Sequence, residues 1–146
     1  MFTATARTRI ARAPDVVFAY LVDPRNWPRW VEDVKHVEAG RPMKKGDTFE
    51  EVSVFRGEDR RCRGEVVEVA PDRLLVVRLV EVMSGPELLP TRRFDLSADG
   101  NGTQLVWTNE VETRGVIRVL GPVLPTLFRK KMTGYLAALK REIETR

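Results

Sequence analysis

The residues best placed for binding chemistry are three polar side chains on neighbouring predicted strands, Glu81, Arg92 and Asn109. If the last hairpin closes around Gly100, Arg92 faces Asn109, and if the connection before it closes near Pro86, Glu81 faces Arg92. The three side chains then form one row at the end of an apolar wall, as in pockets that orient a ligand through few polar groups. The alternative is a solvated pair at the sheet edge. A one-residue slip in either turn would point Glu81 or Arg92 outward.

The same alternation supplies the apolar part of this predicted wall, because side chains two residues apart share a face of a strand. Leu105, Trp107, Asn109 and Val111 share one face, and Phe94 on the preceding strand would lie opposite Trp107. On an earlier strand Glu51 and Ser53 point into the cavity unless a bulge or an edge position turns them away. The predicted lining from strands, beyond the polar row, is Leu79, Phe94, Trp107, Phe49 and Glu51.

Helical residues complete the predicted lining. Apolar residues recur at three- and four-residue steps from Leu124 onward, which predicts a long amphipathic C-terminal helix. Tyr135 lies on its sheet-facing side, where the hydroxyl meets a ligand or a strand residue. Trp27 and Trp30 either gate the cavity mouth or plug one end of the sheet as core. The predicted helical contributions to the ligand site are Trp30, Leu124, Phe128, Met132 and Tyr135.

Cysteine and histidine usage excludes several kinds of site. The chain has one cysteine and one histidine, which rules out an internal disulfide, a thiolate zinc site, an iron–sulfur cluster and any metal site built on a histidine pair. We therefore expect no metal and no cofactor. Cys62 lies among arginines, whose charge would lower the pKa of its thiol, but no catalytic signature accompanies it. His36 is expected on the surface of a strand.

Composition is that of one globular domain covering residues 1–146. Hydrophobic residues make up 42% and charged residues 32% of the chain, values typical of neither disorder nor membrane proteins. The N-terminal residues lack the apolar stretch of a secretory signal, so we expect a cytoplasmic location and no stable membrane insertion. The net charge of +4 comes from interspersed residues. Without a nucleic-acid-binding motif, this charge predicts no nucleic-acid partner.

The order of predicted elements gives an α+β fold. Period-two patterns predict a strand at 2–10, then six more strands at 34–39, 47–55, 61–70, 74–82, 92–97 and 103–112. Two short helical segments fall between the first and second strands. Short connections between the later strands favour an antiparallel meander. Such a curved sheet must cover its concave face, and only the C-terminal helix is long enough.

The apolar connector at 115–125 has two interpretations. It is a buried shoulder before the helix, or a mobile flap over the cavity mouth that hinges at Gly121 and contacts a membrane or a partner transiently. Pro122 and Pro125 argue against one continuous helix through it. We expect a monomer or a homodimer.

Several segments of the chain carry a resemblance to a known family. They are 13–18, 23–30, 46–49, 66–74 and 102–107, with the sequences APDVVF, DPRNWPRW, GDTF, VVEVAPDRL and GTQLVW. Their order resembles the START-like (SRPBCC) superfamily and, more narrowly, its polyketide cyclase/dehydrase and lipid-transport family of small bacterial proteins. The resemblance implies a helix-grip fold of about seven strands wrapped around a long C-terminal helix, with a cavity between them. Its members share no catalytic motif, so the catalytic residues remain unknown.

Three functions are compatible with these expectations. The first is binding or carriage of a hydrophobic small molecule such as a lipid, a quinone or a polyketide. The second is a polyketide cyclase or dehydratase, with Glu81, Tyr135 or Glu51 as acid or base. The third is a ligand-free interaction or regulatory module, which large side chains filling the cavity would favour.

Overall fold

A computed structural model describes the backbone of residues 1–146 and every side chain except those of residues 116–118. The seven strands are β1 (Phe2–Ile10), β2 (Val34–Glu38), β3 (Thr48–Phe55), β4 (Glu58–Ala70), β5 (Leu74–Ser84), β6 (Leu88–Asp99) and β7 (Gly102–Thr113). The helices are α1 (Pro14–Leu21), α2 (Trp27–Trp30) and α3 (Leu124–Glu144), with 3-10 turns at Pro24–Asn26 and Gly115–Leu120. The predicted order of elements is confirmed.

The strands form one antiparallel sheet in the order β1-β7-β6-β5-β4-β3-β2. Consecutive strands from β2 to β7 are neighbours, as expected for a meander, and β1 joins the edge formed by β7. Helix α3 buries Met132, Leu136, Leu139 and Ile143 in the same core as the inner face of the sheet. This is the predicted helix-grip arrangement, with α3 covering the sheet.

The register between β6 and β7 confirms the hairpin predicted around Gly100. Gly100 has a φ of 60°, a left-handed conformation that glycine adopts without steric cost. Across this hairpin Arg92 lies opposite Asn109 and Phe94 lies opposite Trp107. Inward orientation of these side chains follows from the strand alternation.

The register predicted between β5 and β6 is wrong. Phe94 lies opposite Leu75 rather than Leu79, and Arg92 lies opposite Val77 rather than Glu81. The hairpin turns about two residues earlier than the sequence suggested, and the resulting shift of four residues preserves which face is buried. Leu75 and Leu79 are therefore still buried, although their partners differ.

The pairing between β5 and β6 stops at Arg78 and Thr91. The next residue on β6 is Pro90, which has no N–H to donate to a neighbouring strand. Beyond this point β5 continues to Ser84 but pairs only with β4, so Glu81 lies opposite Arg63. The early end of the pairing separates Glu81 from the residues that the sequence placed beside it.

The connector before α3 is partly exposed. Its 3-10 turn ends at Leu120, Val119 and Val123 are exposed, and Leu124 is fully buried at the start of α3. The side chains of residues 116–118 lie outside the described part of the chain, so the flap remains a prediction. In the described residues, no helix is both long and apolar enough to cross a membrane.

Candidate functional site

A cavity of about 90 Å³ lies between the inner face of the sheet and α3. Strands β3, β4, β6 and β7 form one wall, and the N-terminal half of α3 forms the other. The apolar side chains that line it include Val31, Val34, Phe55, Leu88, Leu127 and Phe128. Its polar and charged lining residues are Asp33, Ser53, Arg60, Arg92, Asn109, Lys131 and Tyr135. The predicted space between sheet and helix therefore exists, and it is small.

Part of the predicted lining faces this cavity and part does not. The predicted residues that line it are Arg92, Trp107, Asn109, Phe128, Met132 and Tyr135. Those that lie elsewhere are Glu81, Leu79, Phe94, Phe49, Glu51, Trp30 and Leu124. Most of the second group are buried core residues, and the exception is Glu81.

Glu81 is an exposed residue that accepts a hydrogen bond from the guanidinium of Arg63. The expected row of Glu81, Arg92 and Asn109 is therefore corrected to a pair, Arg92 and Asn109. The cause is the β5–β6 register. Glu81 projects from the part of β5 that has already separated from β6.

Four aromatic side chains close one end of the space between sheet and helix. The rings of Trp27 and Trp30 lie 5.2 Å apart, and Phe94 stacks on Trp107 with the same centroid separation. Trp30 also meets Trp107 edge to face at 5.5 Å. Trp30 and Phe94 are thus a plug that ends the cavity. Trp27 belongs to both plug and lining, and its indole donates to the carbonyl of Leu21.

The central charged feature of the site is an ion pair between Arg92 and Glu51. The guanidinium donates through Nη1 and Nη2 to the two carboxylate oxygens at 2.6 and 2.9 Å. The side chains are 11% and 1% exposed. Burial lowers the pKa of Arg92, but the charge and hydrogen bonds of Glu51 outweigh it, so the pKa is raised overall. Glu51 therefore holds Arg92 in place from behind the cavity wall.

Arg60 is a cavity residue that the sequence analysis missed. It lies in a run of arginines that is typical of a solvated surface, yet it is 6% exposed. The signal was strand phase, because Arg60 shares a face of β4 with Cys62 and Val66, which are both buried. Burial lowers the pKa of its guanidinium.

Cys62 is fully buried on the same face as Arg60. Burial raises the pKa of its thiol, and the lowering effect of Arg60 is smaller. The neighbouring arginines were expected to lower the pKa of this thiol, and the structure shows that burial raises it instead. A buried thiol with a raised pKa is a poor nucleophile, so nothing in the described residues favours a catalytic role for Cys62.

Three buried polar atoms on the cavity lining have no hydrogen-bond partner within the described residues. They are Ser53 Oγ, Trp107 Nε1 and Asn109 Oδ1. The amide nitrogen of Asn109 makes a weak contact with the sulfur of Met132 at 3.6 Å. Unpartnered buried polar groups are costly and uncommon in folded proteins. Their concentration around one cavity indicates that something polar satisfies them there.

Asp33, Lys131 and Tyr135 separate the cavity from a surface groove between α2 and α3. All three line both spaces. The Asp33 carboxylate accepts from the Lys131 ammonium at 2.7 Å and from the Tyr135 hydroxyl. The pKa of Tyr135 is raised, mainly by burial and to a smaller extent by the hydrogen bond to Asp33. The raised pKa keeps the hydroxyl protonated. Gly134 faces the groove, with no atom within 4 Å of an added Cβ.

In the described residues, no group of three or more histidine, cysteine, aspartate or glutamate side chains is arranged to hold a metal.

The family assignment follows from the sequence. The family described as polyketide cyclase / dehydrase and lipid transport matches residues 1–144, and the chain belongs to it. No curated protein matches the chain.

Solved structures show the same fold. A START superfamily protein from Mycobacterium smegmatis has a TM-score of 0.82 at 17% identity, covering 98% of this chain and 97% of that one. The Zhui aromatase/cyclase from Streptomyces sp. R1128 has a TM-score of 0.81 at 18% identity, with coverage of 99% and 94%. The protein TTHA0849 from Thermus thermophilus has a TM-score of 0.81 at 16% identity and 97% coverage of both chains. At these identities the likeness extends to the fold alone.

Proposed function

We propose that this protein binds a small hydrophobic molecule with one polar end in the cavity between the sheet and α3, as a binding or carrier protein. The observation that carries the proposal is the concentration of unpartnered Ser53 Oγ, Trp107 Nε1 and Asn109 Oδ1 around one cavity that also has an apolar wall. A ligand whose polar end meets these atoms and whose body contacts the apolar wall would satisfy both surfaces.

The size of the cavity limits the ligand. A volume of about 90 Å³ exceeds by several-fold the roughly 10–15 Å³ that one water needs. It suits a compact molecule of about one ring. A long acyl chain or an extended polyketide would enter only if α3 moved away from the Asp33 side of the cavity. The aromatic plug at Trp30 and Phe94 fills part of the space between sheet and helix, which by itself favours the third candidate, a ligand-free module. The cavity that remains beyond the plug, with its unpartnered polar atoms, supports binding instead.

A polyketide cyclase or dehydratase is the second candidate, and one observation favours it. The Tyr135 hydroxyl lines the cavity and its pKa is raised, so it can donate a proton or a hydrogen bond to a bound carbonyl. The other expected acid–base groups do not support catalysis. Glu51 is engaged by Arg92, and Glu81 is exposed on another part of the sheet. Binding therefore ranks above chemistry.

The proposed function is tested with benzamide, a one-ring neutral probe, by calorimetry and by NMR of the Met132 methyl group and the Trp107 indole N–H. We expect saturable binding at one site, with both signals shifted. Ser53→Phe fills the cavity and should abolish binding. Val52→Phe, on the opposite face of β3 and outside the cavity lining, is the matched control and should retain it. Absence of saturable binding of benzamide and also of benzoate, its carboxylate counterpart, would overturn the proposal.

A further inference from the structure

The charges around the cavity do not balance. Three cationic side chains line it, namely Arg60, Arg92 and Lys131. Two carboxylates oppose them, because Glu51 pairs with Arg92 and Asp33 pairs with Lys131. In the described part of the chain, no carboxylate lies within 4 Å of the Arg60 guanidinium. The unmatched positive charge is therefore that of Arg60.

Arg60 is held in place by neutral groups. Its Nε donates to the carbonyl of Pro86 at 2.9 Å, and its Nη2 donates to the carbonyl of Leu88. These two hydrogen bonds fix the plane of the guanidinium without neutralising its charge. Nη1 makes no hydrogen bond to the described residues. The Glu51 carboxylate, which is bound to Arg92, attracts Arg60 without contacting it, but burial outweighs this attraction and lowers the pKa of Arg60. A buried cation without a contacting counter-charge is strongly unfavourable.

Two hydrogen-bond donors lie on the same cavity wall. Ser53 is directly opposite Arg60 in the pairing of β3 with β4, and its hydroxyl has no partner. The Trp107 indole N–H, also unpartnered, is a donor only. Asn109 Oδ1 is an acceptor, so it does not bind a carboxylate and requires a separate donor. A fixed guanidinium beside a free hydroxyl suits one carboxylate. Trp107 lies opposite Phe94, six residues along β6 from the Leu88 carbonyl that the guanidinium contacts. This separation is roughly 20 Å along the strand, so the indole N–H is not part of this donor pair.

We propose that Arg60 makes the polar end of the cavity a carboxylate site, so that the ligand is a compact apolar molecule carrying a single carboxylate. This inference rests on the proposed function and narrows its ligand class. One negative charge restores the balance left open by Arg60. Glu51 stays with Arg92, so the ligand does not compete for an occupied guanidinium.

The test compares benzoate with benzamide, its neutral counterpart of the same shape, by calorimetry at neutral pH. We expect the wild-type protein to bind benzoate about tenfold or more tightly, because a charge-assisted hydrogen bond is worth at least that factor. Arg60→Met should remove the preference, so that the ratio of benzoate affinity to benzamide affinity falls to about one. Arg61→Met removes the charge of the adjacent, exposed arginine and should keep the preference. Thermal melts identify a variant that fails to fold, and the wild-type comparison stands without it.

Each outcome separates the two proposals. Equal affinity of the wild type for benzoate and benzamide, or tighter binding of benzamide, would overturn the carboxylate site and leave the binding function standing. A preference for benzoate that survives Arg60→Met in a folded protein would overturn the assignment to Arg60. Failure of both probes to bind would overturn the proposed function itself.

Discussion

Arg92 and Glu51 form a two-point ion pair although they belong to strands that are not neighbours. Arg92 is on β6 and Glu51 is on β3, with β5 and β4 between them. In a flat sheet three strand spacings amount to roughly 14 Å, too far for one guanidinium to bridge. The pair therefore closes across the concave face, where the curvature of the sheet brings the two strands together.

The first prediction concerns this ion pair. Glu51→Leu or Arg92→Leu alone should lower the free energy of unfolding by about 3–5 kcal/mol, because each leaves an unpaired buried charge. The double variant should be much less destabilised than the sum of the two. Urea unfolding measures all three. Arg63→Leu breaks the exposed pair with Glu81 and should cost less than about 1 kcal/mol. Additive effects of the two buried substitutions would contradict the pair.

The second prediction tests the β5–β6 register through Glu81. Double-mutant cycles on unfolding free energy should give a small coupling, below about 1 kcal/mol, between Glu81 and Arg63. They should give no coupling between Glu81 and Arg92. A coupling to Arg92 instead would show that β5 pairs with β6 along its whole length, as the sequence alone suggested.

The fold and about half of the site were predictable because both depend on local patterns in the sequence. Alternation along β7 placed Trp107 and Asn109 inward, and the glycine turn at Gly100 fixed their pairing with β6. Both are local signals. Pairing across β5 and β6 depended on where a longer connection turns, which local patterns do not determine.

The partner of Arg92 was beyond prediction for a different reason. Glu51 was correctly placed on the inward phase of β3, but its contact with Arg92 depends on curvature accumulated over several strands. No sequence spacing reports that curvature. Arg60, in contrast, was predictable from its phase with Cys62, and the run of neighbouring arginines concealed it.

The third prediction concerns Gly64, where β4 passes under the ring of Phe49. A Cβ at Gly64 would lie 2.4 Å from Phe49 Cζ and 2.7 Å from the carbonyl oxygen of Arg78. The Arg78 carbonyl belongs to the backbone and cannot move aside as a flexible side chain can. Gly64→Ala should therefore lower the free energy of unfolding by about 1–3 kcal/mol. Gly134→Ala on α3 meets open space and should stabilise by about 0.5–1 kcal/mol. Thermal and urea unfolding compare the two, and equal effects would contradict this packing.

The fourth prediction concerns the pKa of Tyr135. In a Tyr20→Phe background, Tyr135 is the only tyrosine, and its ultraviolet titration should fall well above the ordinary value of about 10. Asp33→Asn should lower this pKa partway, because burial is the larger cause and remains. A titration at the ordinary value in the folded protein would contradict the contact.

The raised pKa of Tyr135 also makes the free energy of unfolding depend on pH. Above about pH 10 the unfolded chain releases the tyrosine proton while the folded chain keeps it. The free energy of unfolding should therefore fall as pH rises from that value toward the raised pKa. Tyr135→Phe should show a shallower fall over this range than the parent protein.

Native mass spectrometry of the protein purified from its own cells shows whether the cavity holds a hydrophobic small molecule. We expect a mass increment that corresponds to one molecule per chain. This molecule should be released on denaturation as a compact apolar compound and be absent from the cavity-filling Ser53→Phe variant. An apo mass for the wild type, with no saturable uptake when small hydrophobic compounds are added, would contradict the binding function.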